Sequence, residues 1–115
     1  MYVEERIYTL QVGKVPEFLK LYESEGLAIQ TGHLPNLVGF YITEVGPLNV
    51  VVHMWGYDDL NQRDKCRAAL QADPAWQTYV VKARQFYVSQ ETRILKCAPF
   101  FAERLKRMLA AAVPT

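Results

Sequence analysis

Residues 50–57 combine β-forming, aromatic and polar side chains, and a strand over them would place successive side chains on opposite faces of a sheet. One face would carry Val51, His53, Trp55 and Tyr57. The other would carry Val50, Val52 and Met54, which we interpret as core. The first face therefore holds the candidate chemistry, either as the lining of a pocket or as a surface that a partner covers.

The remaining hydrophobic pattern predicts three further strands, over residues 2–10, 36–45 and 86–95. A Gly-Pro-Leu-Asn turn at residues 46–49 separates the second strand from the third. Because this connection is short, the two strands are expected to form an antiparallel hairpin.

Apolar residues recur at helical spacing between the strands. In the first helix, Pro16 suits the first turn; the helix could end near Gly26 or continue to Gly32. The aspartates at 58–59 offer an N-cap for a second helix, and Asp73-Pro74 restarts the helical pattern. A terminal amphipathic helix follows, with one stripe formed by Phe101, Leu105, Met108 and Ala112.

The order strand, helix, strand, strand, helix, strand predicts an α+β, ferredoxin-like βαββαβ fold, in which helices cover one face of a four-stranded antiparallel sheet. The other face would be open and would receive large side chains, namely Tyr8, Leu10, Trp55 and Tyr57, with either Phe40 and Ile42 or Leu37 and Tyr41. Either a second copy covers this face as a dimeric α/β barrel, or the terminal helix folds back over it. We expect the homodimer.

Composition narrows the class of protein. A chain of 115 residues fits one domain. Its 13 Lys and Arg residues are nearly balanced by 12 Asp and Glu, and the basic residues form no stripe, so a nucleic acid partner is not expected. The sequence shows neither a leader segment nor a long apolar run, so we expect a cytoplasmic protein without membrane insertion. Cys66 and Cys97 could form a disulfide, but free thiols are the preferred interpretation, and no metal site or cofactor is expected.

Six segments, taken together in this order, resemble the NIPSNAP family: EERIYTL (4–10), GK (13–14), GFY (39–41), EVGPLN (44–49), VHMWGY (52–57) and DPAW (73–76). The resemblance covers about residues 2–100 and implies a dimeric α+β barrel, in a superfamily that also holds cofactor-free monooxygenases, lactone isomerases and heme-handling enzymes. Animal members are known as mitochondrial proteins with signalling and vesicle-related roles. No catalytic constellation is implied. We divide the chain into a NIPSNAP-type domain, 1–98, and a C-terminal helical extension, 99–115.

A candidate site follows if the first and third strands face one cavity. Arg6 would suit an enolate, carboxylate or quinone oxygen, and His53, with an unperturbed pKa near 6.5, could exchange a proton. These two are the candidate catalytic residues. The candidate ligand-binding residues are Glu4, Tyr8, Trp55 and Tyr57. Alternatively, Glu4 and Arg6 form a buried ion pair that sets the register of the sheet or dimer, and Trp55 only packs.

Other residues are weaker candidates. His33 is expected in a solvated connection, with heme ligation as a minor alternative. Glu91 and Arg93 are expected to pair on strand four, at a surface or an interface. Cys66 is interpreted as an incidental thiol. The arginines and lysines at 63, 65, 67, 104, 106 and 107 are interpreted as solvated helix faces.

Two classes of function remain open, and whether the chain is an enzyme is not decided. The first is a barrel that binds a small aromatic or carbonyl compound in its cavity, with proton-transfer or cofactor-free monooxygenase chemistry as an extension. The second is a non-catalytic protein-interaction module that uses its helices or tail for docking. A cavity of a few hundred Å³ would favour the first class.

Overall fold

The computed structural model describes residues 1–111 and shows one antiparallel sheet with the strand order β2-β3-β1-β4. Its strands are β1 (Tyr2–Leu10), β2 (Asn36–Ile42), β3 (Val50–Tyr57) and β4 (Tyr87–Lys96). This order, with helical segments after β1 and β3, is that of the ferredoxin-like fold, so the predicted α+β class is confirmed. The second strand ends three residues earlier than predicted.

The helices are α1 (Val15–Leu21), α2 (Leu27–His33), α3 (Leu60–Ala72), α4 (Pro74–Ala83) and α5 (Pro99–Ala110). Local capping chemistry begins two of them: the Asp59 carboxylate accepts a hydrogen bond from the Gln62 amide at 2.7 Å, and the Asp73 carboxylate accepts one from the Ala75 amide at 2.9 Å. Both aspartates act as the sequence predicts.

A π-helical segment, Tyr22–Gly26, joins α1 to α2. The first predicted helix therefore does not end near Gly26 but continues beyond it, which was one of the two alternatives. Gly26 is needed here because a Cβ atom at this position would lie 2.8 Å from the ring of Tyr79 and 2.9 Å from the ring of Tyr22. The π segment therefore lets two tyrosines approach the helix backbone closely, beneath the sheet face that α1–α4 cover.

The helices α1–α4 cover the opposite face of the sheet from the one expected. Tyr8, Leu10 and Val51 pack against Phe18, Tyr22 and Tyr79 in one buried cluster, and Trp55 and Tyr57 pack against Leu34 and Leu70 in a second. The aromatic and polar row of β3 therefore faces α1–α4. Val50, Val52 and Met54 lie on the face that these helices leave free, so the prediction that they are the core was wrong. Both faces carry large apolar residues, and alternation alone does not tell which face the helices cover.

The terminal helix α5 lies over one end of the free face. Leu105 is almost fully buried, and a space of about 440 Å³ between α5 and the sheet is lined by apolar side chains that include Val3, Val38, Met54 and Leu95. The alternative in which the terminal helix covers its own sheet is thus realised at this end. Ala112, predicted on the apolar stripe, lies outside the described residues, and the division at residue 98 stays a prediction.

Candidate active site

A cavity of about 530 Å³ separates the sheet from the helices α1–α4. Three cationic side chains line it, namely Arg6 from β1, Arg67 from α3 and Arg84 from the segment before β4. Aromatic rings form much of the remaining wall, among them Tyr8, Phe40, Trp76 and Tyr87. The lining thus combines cations and aromatic rings, and no aspartate or glutamate of residues 1–111 contributes to it.

The His53 side chain is held rigidly on the floor of this cavity. Its ring stacks between Tyr8, at a centroid distance of 5.2 Å, and Phe40, at 5.1 Å. The Trp55 indole N–H donates a hydrogen bond to His53 Nδ1 at 2.6 Å. Because Nδ1 accepts this bond, the neutral ring carries its proton on Nε2. Within residues 1–111, Nε2 donates no hydrogen bond, which leaves its N–H available to a ligand in the cavity.

Burial lowers the pKa of His53, and the Arg6 guanidinium acts in the same direction because it disfavours a second positive charge; the combined result is a pKa of about 3 instead of 6.5. The lowered pKa does not favour the hypothesis that His53 exchanges a proton near neutral pH. At neutral pH, His53 is an uncharged imidazole, and such a ring offers a hydrogen-bond donor more readily than a proton acceptor. It suits polarisation of a carbonyl oxygen or stabilisation of an oxyanion.

Glu4 holds the cationic part of the site in place. Its carboxylate is completely buried and accepts hydrogen bonds from Arg6 at 3.0 Å and from Arg63 of α3 at 2.9 Å. These bonds keep the pKa of Glu4 below its ordinary value although burial opposes this. Arg6 also donates from Nε to the Tyr8 hydroxyl at 2.9 Å. Glu4 thus fixes Arg6 on the sheet and ties α3 to it.

The structure brings the six predicted site residues onto one face of the sheet, but only three of them line the cavity. Arg6, Tyr8 and His53 reach it. Glu4 and Trp55 lie behind them and position Arg6 and His53 through hydrogen bonds. Tyr57 packs in the cluster around Leu34 and Leu70, and its buried hydroxyl has no hydrogen-bond partner within residues 1–111.

Sequence reasoning missed the arginines of α3. Arg63 and Arg67 were interpreted as a solvated face, but Arg63 binds Glu4 and Arg67 is half-buried in the cavity wall. A signal was present: both residues share a helical stripe with the buried Leu70, at spacings of four and three residues. Arginine can occupy such a stripe when it meets a buried carboxylate or a cavity.

The weaker candidates have structural partners. His33 is the last residue of α2, so its predicted place in a connection was wrong; its side chain is 29% exposed and contacts the Asp73 carboxylate at 2.9 Å. Arg93 pairs across the strands with Glu5, through Nε at 2.8 Å, instead of with Glu91. Both cysteines are free, and residues 1–111 contain no cluster of metal-ligating side chains. None of the helices in that range is long and apolar enough to cross a bilayer.

The fold and this cavity define a class: ferredoxin-like α+β domains in which an aromatic and cationic pocket lies between the sheet and its helices. The sequence profile described as NIPSNAP matches residues 3–102. The chain belongs to the NIPSNAP family.

Relatives and structures agree with this assignment. The chain is 32% identical to human Protein NipSnap homolog 3A over 102 residues, which is 87% of this chain but 40% of that protein, so it spans about two fifths of the relative's length. A crystal structure of a NIPSNAP family protein from Agrobacterium tumefaciens is 44% identical, with a TM-score of 0.84 over 86% of this chain and 94% of that one. A putative antibiotic biosynthesis monooxygenase from Nitrosomonas europaea shares the fold alone, at 13% identity and a TM-score of 0.63 over 84% and 98% of the two chains.

Proposed function

We propose that this NIPSNAP chain binds a small aromatic or carbonyl compound in the cavity between its sheet and its helices. The observation that carries the proposal is the lining of the 530 Å³ space, where a fixed guanidinium, a neutral imidazole and several aromatic rings converge. A volume of this size accommodates a small ligand, and a few convergent polar groups among aromatic walls are typical of a binding site. Tyr8 and Phe40 would contact its planar part, and Arg6 and His53 its oxygen.

The chemistry that these residues can support is stabilisation of negative charge on a ligand oxygen. Arg6 supplies a fixed positive charge, and the His53 Nε2–H supplies a neutral donor beside it. An enolate or phenolate held in this way is the form in which a ligand would react by proton transfer or directly with dioxygen. The monooxygenase from Nitrosomonas europaea contributes only the fold to this argument, because its sequence identity is low.

The proposal is tested by titrating the protein with phenols, quinones and 1,3-dicarbonyl compounds while the fluorescence of Trp76, in the cavity wall, is followed. Arg6→Gln and His53→Gln should each weaken binding at least tenfold and leave the circular dichroism spectrum unchanged. Glu91→Gln, on the exposed β4 strand, is the control and should have no effect. Unfolding of both cavity variants, or unchanged binding by them, would favour the register role of the Glu4–Arg6 pair instead.

For assembly, we propose a homodimer through the part of the free sheet face that α5 does not cover. Strand register places Tyr41, Val52 and Ile7 in one row across β2, β3 and β1, and Tyr41 is 57% exposed. Such a row of large apolar side chains suits a second copy of the same surface. Sedimentation should show a dimer that Val52→Lys converts to a monomer; a wild-type monomer would contradict this assembly.

The second candidate function is a protein-interaction module, and exposed apolar residues on α5 favour it. Phe100 is 87% exposed and Met108 is 56% exposed, although the helix also buries Leu105. If docking is the function, Phe100→Asp should abolish association with a physiological partner while Arg6→Gln leaves it intact. The reverse result would assign the function to the cavity. A cytoplasmic location stays a prediction, for which cell fractionation is the test.

A further inference from the structure

The cavity carries an excess of positive charge that the protein itself does not neutralise. Arg6 is paired with Glu4, but Arg67 forms no ion pair and no hydrogen bond with any residue in the range 1–111. Its guanidinium is half-buried, and desolvation together with repulsion from Arg6 lowers the pKa of Arg67 below its ordinary value. A cation in such surroundings is stabilised by an anion.

The neighbouring arginine on the same helix shows what a structural role looks like. Arg63, one turn before Arg67, does not line the cavity and donates to Glu4 and Asp64. Its charge is therefore used to attach α3 to the sheet. The Arg67 side chain, by contrast, lines the cavity, and so does Gln71, which lies one turn further along α3. Two polar groups at this spacing lie on one side of a helix and can meet a ligand together.

We propose that the ligand of this cavity is an aromatic carboxylate, and that Arg67 determines this specificity by pairing with the carboxylate group. The inference rests on the proposed function and narrows its ligand class. The guanidinium fork matches the two oxygens of a carboxylate. Trp76 and Tyr79 lie in the same wall, with their ring centroids 4.9 Å apart. They offer an aromatic surface for the ring of the ligand.

Matched pairs of probes that differ only in charge test the inference. Benzoate with benzamide, and 2-naphthoate with 2-naphthamide, are titrated into the full chain by calorimetry. Each carboxylate should bind at least tenfold more tightly than its carboxamide, and its affinity should fall as sodium chloride is added. Arg67→Gln should remove most of this preference and leave carboxamide affinity within about threefold of wild type, as expected for loss of one charge-assisted contact. Lys65→Gln, on the exposed side of α3, is the control.

The outcomes separate this inference from the proposal on which it rests. Equal affinities within each pair, or an equal loss of both affinities in Arg67→Gln, would overturn the role of Arg67 while leaving ligand binding in place. If no member of any pair binds but a phenol, quinone or 1,3-dicarbonyl compound does, the carboxylate inference fails and the proposed binding function stands. If neither set of compounds binds, both proposals fail. Should Arg67→Gln unfold, the salt dependence of the wild-type pairs decides: a carboxylate affinity that does not respond to salt overturns the inference.

Discussion

Glu4 and Glu5 are adjacent in β1, point to opposite faces of the sheet, and have very different surroundings. Glu4 is completely buried under α3 and binds two arginines that are themselves mostly covered. Glu5 lies on the free face and pairs with Arg93, whose side chain is 63% exposed. The covered face thus contains a network of buried charge, whereas the free face carries an ion pair between a largely buried Glu5 and an exposed arginine.

The same contrast applies to the cavities of the two faces. The space between the sheet and α1–α4 is lined by arginines, a histidine and aromatic rings, and hydrogen bonds fix Arg6 and His53 within it. The space under α5 is lined almost entirely by apolar residues. Buried polar groups are expensive to maintain unless partners satisfy them. The covered face is therefore where a specific ligand is expected, and the free face is where a second copy is expected.

The largest expected effect comes from removing the charge of Glu4. Glu4→Gln leaves Arg6 and Arg63 without their shared anion and should lower the free energy of unfolding by about 3 kcal/mol. The matched change Glu5→Gln breaks a pair with an exposed arginine and should lower it by less than about 1 kcal/mol. Urea unfolding of both variants measures the difference. Effects of equal size would mean that the two faces do not differ as described.

A smaller effect is expected from close packing of the helix layer. Gly26→Ala would place a methyl group against the rings of Tyr22 and Tyr79, and overpacking of this kind typically destabilises by about 1–3 kcal/mol. Gly32→Ala in α2 meets no atom within 4 Å and should stabilise by about 0.5–1 kcal/mol, as alanine does in an open helical position. Thermal unfolding of the two variants should move in opposite directions. A stabilised Gly26→Ala would show that the tyrosines can move aside.

Local sequence chemistry predicted the order of the elements. Asp59 and Asp73 cap helices, Pro74 begins one, and the turn with Gly46 and Pro47 after β2 forms the hairpin, because each of these preferences acts within a few residues. The three candidates of β1 were also correctly grouped on one face of their strand, and so were the three of β3, since the period of a strand fixes this without any knowledge of the tertiary fold. That the two groups share a face was a condition of the candidate site, and the register of β1 and β3 meets it.

The covered face and the states of its polar groups could not be predicted in the same way. Val52 and Met54 are as apolar as the residues of the opposite row, so hydrophobicity did not distinguish core from free face. The partner of Glu4 is 59 residues away on α3, and the pKa of His53 depends on burial beneath helices that the sequence does not position. Arg67 was missed because a charged residue on an amphipathic helix is usually solvated.

The last expected effect concerns pH and again separates the two faces. The unfolded chain protonates His53 near pH 6.5, but the folded protein resists this until about pH 3, so the unfolded state binds more protons between these values. Stability should therefore fall with decreasing pH below 6.5, by about 1.4 kcal/mol per pH unit from this group. His53→Gln keeps an acceptor for the Trp55 N–H without titrating. Urea unfolding at pH 7.5, 6.5, 5.5 and 5.0 measures the free energy of unfolding of wild type and of this variant. The difference between them should be constant above pH 6.5, and below it the wild type should lose stability relative to the variant. A constant difference down to pH 5 would mean that His53 takes up its proton in the folded state, and the cavity would then contain a general base instead of a neutral donor.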